Sequence, residues 1–109
     1  MDQNDLQQTI IQAQSIQQQL HVLHQQKEAL NLQMFEINKA LEELGKTKEE
    51  EVYKVTGPIL VKISRADARS DLNSKREMSM LRMKTVEKSE ASAKKQMEDI
   101  REKLSKSGM

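Results

Sequence analysis

Val52-Tyr53-Lys54-Val55-Thr56-Gly57-Pro58-Ile59-Leu60-Val61-Lys62-Ile63 is the stretch on which the fold turns. Two β-branched, apolar runs flank a Gly-Pro pair, which is the pattern of a β-hairpin. Gly57 supplies the positive φ of a type II′ turn, and Pro58 fits the negative φ that follows. Pairing across that turn puts Tyr53, Val55, Leu60 and Lys62 on one face and Val52, Lys54, Val61 and Ile63 on the other. Both faces are mainly apolar, and a lone two-stranded hairpin is marginal in water. Its open edges are templates for further strands. The pattern predicts that hairpins from several chains assemble into a shared β hub through Val52, Tyr53, Val55, Ile59, Leu60, Val61 and Ile63. The alternative is a hairpin folded down onto its own helices.

Outside the hairpin the period lengthens from 2 to 3.5. Glycine and proline are confined to Gly45, Gly57, Pro58 and Gly108, which leaves residues 4–45 and 66–107 as two long breaker-free stretches. Helices of that length suggest a coiled coil. In the first stretch the a positions are Leu6, Ala13, Leu20, Lys27, Met34 and Leu41, and the d positions Thr9, Ile16, Leu23, Leu30, Ile37 and Leu44. Ten of these twelve are apolar, a strong heptad signal. The second stretch is looser. Leu72, Val86, Ala93 and Ile100 fall at d and Met83, Met97 and Leu104 at a, with Arg76, Ser79 and Glu90 interrupting. Ser64 or Asp67 is placed to cap this helix.

At ~1.5 Å per residue the two helices are each roughly 60 Å long. Joined by a tight hairpin, they must fold back antiparallel. The predicted fold is mainly α, one unit over 1–109: helix 4–45, hairpin 52–63, helix 66–107. It is a rod with a β knob at one end and both termini at the other.

Composition agrees. Apolar residues make up 36% of the 109-residue chain and the aromatics are Phe35 and Tyr53 alone, too few for a compact domain with a ligand pocket. A two-helix seam needs no more. Low hydrophobicity with 32% charged residues also suits disorder, but the net charge is only +1 and the apolar residues are periodic. No run approaches the ~20 apolar residues of a membrane span, and the polar start, Met1-Asp2-Gln3-Asn4-Asp5, is no secretory signal. Cysteine is absent. A cytoplasmic protein without a membrane partner is expected.

Apolar residues left over from the seam gather in two places. Leu32 and Phe35 on helix one, with Met78, Met80 and Leu81 on helix two, fall beneath the hairpin and suggest a contact with another subunit. At the far tip, Leu6, Ile10 and Ile11 meet Met97, Ile100 and Leu104, with Met109 trailing. Glutamines crowd this segment, and before Lys27 the only charged residues are Asp2 and Asp5. A weakly charged surface bearing Met and Ile suits promiscuous apolar contact. The same residues also serve to zip the last two heptads.

Catalytic chemistry is not visible. No glycine-rich phosphate loop and no nucleophile–base set can be named, so no enzyme and no cofactor are expected. His21 and His24 are three apart on a helix but lack further ligands, so they read as surface histidines and no metal is expected. Residues 1–51 hold four Lys/Arg against nine Asp/Glu, and residues 52–109 hold fourteen against eight. Helices of opposite sign attract. Nucleic-acid binding by the basic helix is disfavoured, because its bases alternate with acids and no aromatics are available for stacking. Lys94, Lys95, Arg101, Lys103 and Lys106, near the tip, are placed to meet an acidic protein.

The segment from Glu51 to Lys62 resembles the hairpin of the prefoldin family, and Gln25-Gln26-Lys27 and Lys39-Ala40-Leu41-Glu42-Glu43-Leu44 are similar to the helix before it. A single hairpin resembles the β-type rather than the α-type subunits. The resemblance implies a hetero-hexamer of two α-type and four β-type subunits, with hairpins forming the hub and coiled coils hanging from it. It implies an ATP-independent chaperone that holds unfolded client proteins and passes them to a group II chaperonin. Client contact would then centre on Leu6, Ile10, Ile11, Met97, Ile100 and Leu104, with Lys103 and Lys106 as chaperonin contacts. A different class also fits the heptads, a structural scaffold or tether without holding activity.

Overall fold

Four elements follow one another in a computed structural model that describes residues 2–106: α1 (Gln3–Lys46), β1 (Glu51–Thr56), β2 (Ile59–Ser64) and α2 (Arg65–Lys106). The predicted last residue of the second helix, 107, and the trailing Met109 lie outside the described residues.

Each helix starts on a side-chain cap. Asp2 Oδ1 accepts the Asp5 N–H at 2.8 Å, satisfying one donor that the first turn leaves over. Ser64 Oγ accepts the Asp67 N–H at 3.0 Å, so of the two candidate caps Ser64 performs the role and Asp67 is the residue capped. Gly45, the last residue of the predicted helix, lies one residue short of its end. The helix runs on to Lys46, and the Thr47 N–H still reaches the Glu43 carbonyl at 3.1 Å. The chain exit is fastened by Arg65 instead. Its guanidinium Nη1 donates to the Thr47 carbonyl at 2.6 Å, and its own N–H donates to the Glu50 carbonyl at 2.7 Å.

The hairpin has the predicted register. Val55 stands opposite Leu60, Tyr53 opposite Lys62 and Val52 opposite Ile63, with Gly57-Pro58 as the two-residue loop. Gly57 has φ +57°, the only positive φ among the described residues, as the first loop position of a type II′ turn requires.

The chain divides into two units, Met1–Ala29 with Met83–Met109, and Leu30–Arg82. In the first, Thr9, Ile16, Leu23, Met83 and Ala93 are buried, and Leu6, Ala13, Leu20, Val86, Met97, Ile100 and Leu104 half-buried. The helices run antiparallel here: Lys27 pairs with Glu90, while Ile16 shares a groove with Ile100. In the second unit Leu30, Ile37, Leu44, Ala68 and Ser79 are buried, and Met34, Leu41 and Leu72 half-buried. Arg76 Nη1 donates to Asn38 Oδ1 at 3.2 Å while Arg65 reaches Thr47, again an antiparallel order.

The seam is therefore the predicted one. All six d positions of α1 are buried and all six a positions half-buried. All ten seam positions of α2 are buried or half-buried, including the polar Arg76, Ser79 and Glu90. Thr9, the polar d residue of α1, is accommodated because its hydroxyl donates to the Asp5 carbonyl at 2.7 Å.

The turn offers a direct test. Gly57→Val forces a β-branched residue into the left-handed region at a cost of about 1–2 kcal/mol. Loss of β signal and a lowered melting midpoint are expected, whereas Gly45→Ala, within the helix, should raise the midpoint by up to ~1 kcal/mol equivalent.

Candidate functional site

A two-stranded sheet has two faces, and the chain's own helices treat them differently. Tyr53, Val55 and Leu60 on the outer face are exposed, Val55 by 72% and Leu60 by 66%. Ile59, beside the turn, is exposed as well. On the inner face Val52, Lys54 and Ile63 are half-buried and Val61 is at the border, 38% exposed. Lys54 Nζ pairs with Asp71 Oδ2 of α2 at 3.2 Å. Val52 and Ile63 then share a cavity of about 790 Å³ with Ala40 and Leu44 of α1 and Ala68 and Leu72 of α2. The two helices thus cover the inner face in part and leave the outer face bare. The inner face is partly covered because α2 begins directly after β2 and brings Asp71 under Lys54.

The same unit carries the other surplus apolar residues in the open. Leu32, Phe35, Met78, Met80 and Leu81 are all at least half exposed. Lys39 Nζ lies 5.9 Å from the centre of the Phe35 ring, a cation–π distance that leaves the rest of the ring uncovered.

The other unit, which holds both ends of the chain, is quieter. Of the six residues read as client contacts, Ile10 and Ile11 are exposed, Ile11 by 63%, while Leu6, Met97, Ile100 and Leu104 are half-buried in the seam. Lys103 and Lys106 are exposed in the last turn of α2. His21 and His24 stand on the surface, His24 Nε2 3.0 Å from Glu28 Oε1 one turn on. Among the described residues no cluster of three or more His, Asp or Glu is arranged to hold a metal, and no helix is long and apolar enough to cross a membrane.

Lys27 and Glu90 each interrupt a heptad pattern, and the structure brings them together. Lys27 Nζ donates to Glu90 Oε1 at 3.1 Å, with both side chains largely covered. Lys94 stands 3.8 Å from the same oxygen. The Lys27 hydrogen bond, with the charges of Lys27, Lys94 and His24, holds the Glu90 carboxyl below the ordinary glutamate range against the opposing effect of burial. The pair also runs against the helices' overall charges, since the acidic helix supplies the cation. Its placement favours a register function: a polar pair inside an apolar seam is satisfied only at one offset.

Three measurements follow from this pair. A lowered carboxyl pKa contributes stability above the unfolded value, about 4.3, and loses it as pH falls through the folded value. Denaturant midpoints should therefore drop below about pH 4.3 in the parent chain and drop less in Glu90→Gln. Lys27→Leu alone should destabilise by leaving Glu90 without its partner, while Lys27→Leu/Glu90→Leu restores the midpoint. Cross-linking of engineered cysteines at shifted offsets should then appear only in the double variant.

Comparison with known proteins gives one answer. The family model described as prefoldin subunit matches residues 7–108. The prefoldin subunit beta of Saccharolobus islandicus is 35% identical over 92 residues, covering 84% of this chain and 73% of that protein. That of Sulfurisphaera tokodaii is 32% identical over 101 residues, covering 92% and 81%. The crystal structure of the prefoldin beta subunit from Thermococcus strain KS-1 superposes with a TM-score of 0.85 at 28% identity, covering 94% of this chain and 91% of that one.

Proposed function

The chain belongs to the prefoldin subunit family, and from that premise we propose that it is an ATP-independent chaperone subunit that holds unfolded proteins and delivers them to a group II chaperonin. It is not an enzyme and works in the cytoplasm. Assembly runs through Val52, Tyr53, Val55, Ile59, Leu60, Val61 and Ile63 with an α-type subunit, in a hexamer of two α-type and four β-type chains. One observation carries the assembly: an apolar strand face, Tyr53, Val55 and Leu60, lies in water at the point where the sheet has open edges. Client binding centres on Ile10 and Ile11, supported at the seam by Leu6, Met97, Ile100 and Leu104. Lys103 and Lys106 face the chaperonin.

A second reading, a scaffold that oligomerises without holding clients, draws support from the half-buried state of Leu6, Met97, Ile100 and Leu104. The two readings part on truncation. Light scattering of a denatured client should fall when the assembled protein is added, and removing residues 1–11 and 100–109 should abolish most of that protection. A scaffold gives no protection before or after truncation. Assembly is checked by native mass: Tyr53→Asp/Leu60→Asp places carboxylates in the proposed hub and should yield dissociated chains of unchanged helix content. A parent chain that remains a stable monomer beside an α-type subunit removes the hub.

A further inference from the structure

Two exposed isoleucines are a small surface for a protein that holds unfolded chains. Four of the six apolar residues first assigned to that task are turned into the seam. Beside that seam runs a groove of about 440 Å³. Its floor is Ile16 of α1 and Ile100 of α2. One wall is made by Gln12, Ser15 and Gln19 of α1, the other by Gln96 and Asp99 of α2.

The walls are therefore largely carboxamides. A glutamine side chain offers two N–H donors and a carbonyl acceptor, the complement of what each peptide unit presents. The seven-residue step from Gln12 to Gln19 rises ~10.5 Å along the helix. That matches about three residues of extended chain at ~3.3 Å each. An extended chain directs its N–H and C=O groups to both edges, and the groove has amides on both sides. No Lys, Arg, Asp or Glu occurs between Asp5 and Lys27, so the α1 wall imposes no charge preference.

We propose that this groove binds extended, unfolded polypeptide through its main chain. Gln12, Gln19 and Gln96 exchange hydrogen bonds with peptide N–H and C=O groups, and Ile16 and Ile100 receive one apolar side chain. The proposal rests on the holding role and supplies its chemistry. Unfolded chains of any sequence share a free backbone, whereas folded proteins satisfy theirs internally. Discrimination between the two then needs no sequence motif. Asp99, which only accepts, turns the α2 wall towards N–H donors and away from acidic residues.

The test uses the full-length assembled chain and two labelled peptides, followed by fluorescence anisotropy. Both are short, uncharged and of the same alternating leucine–threonine sequence, and one is N-methylated at every second residue. Methylation removes donors and leaves the side chains. Loss of two net hydrogen bonds should weaken binding by about tenfold or more. Gln12→Leu/Gln19→Leu/Gln96→Leu keeps helix propensity and adds apolar surface. It should weaken the unmodified peptide by a similar factor and bind both peptides alike.

Equal affinity of the parent chain for the two peptides overturns the groove, as does failure to bind either. Tighter binding by the leucine variant overturns it too, since apolar capture would then dominate. The methylation arm needs no variant, so misfolding of the triple variant leaves the test intact. Suppression of client aggregation without peptide discrimination removes the groove and keeps the holding role. Discrimination without suppression does the reverse.

Discussion

A narrow stripe is most of what each helix buries, joined on α2 by Ala68, which shares a cavity with the hairpin. On α1 it recurs every seventh residue from Thr9 to Leu44, and the intervening a positions are only half covered. A two-helix seam has no third wall, so nothing can be enclosed behind it. This constraint sorts the remaining apolar residues. Most large apolar residues that do not fit the stripe stay in water unless another chain covers them, which is the state of Leu32, Phe35, Met80, Tyr53, Val55 and Leu60. Exposed apolar surface in such a protein is thus a consequence of architecture, and it becomes useful in a subunit whose surroundings are other subunits.

The seam also explains why the polar exceptions are tolerated. A side chain at a half-covered position keeps one side near water, so Lys27 and Glu90 can occupy it with a shared hydrogen bond. Thr9 and Ser79, which are fully covered, are small hydroxyl residues. Among the described residues no buried side-chain nitrogen or oxygen lacks a partner. The seam thereby gains specificity at several levels without a large core. Arg76 reaching Asn38 and Arg65 reaching Thr47 add further fixed offsets in the second unit.

Much of this is legible before any coordinates. Heptad spacing is a local property, so the stripes of both helices can be read off residue by residue, and Gly57-Pro58 fixes the hairpin register because the loop length does. Partners across the seam are another matter. Lys27 and Glu90 each look like defects when one helix is read alone, and only the offset between helices turns them into a pair. Gly45 marks the end of the first helix to within a residue, but the Arg65 contacts that close this exit come from twenty residues further on. The terminal residues show the limit most clearly: the heptad count places Leu6, Met97, Ile100 and Leu104 in the seam, yet how much of each remains accessible depends on packing that spacing does not encode. The amide-walled groove likewise needs both helices in place before Gln12, Gln19 and Gln96 share a site.

The cross-strand contact at the base of the hairpin has a consequence of its own. Lys62 Nζ lies 2.7 Å from Glu51 Oε2, and Lys54 adds a further cation to β1. In a sheet of two strands every strand is an edge strand, and a hairpin with exposed valine, leucine and isoleucine is the raw material of a fibril. Endless stacking of identical hairpins in register would bring lysine over lysine and glutamate over glutamate at every layer. Repulsion between like charges then grows with each addition. The hairpin thus joins an exposed apolar face to charges that oppose endless in-register stacking.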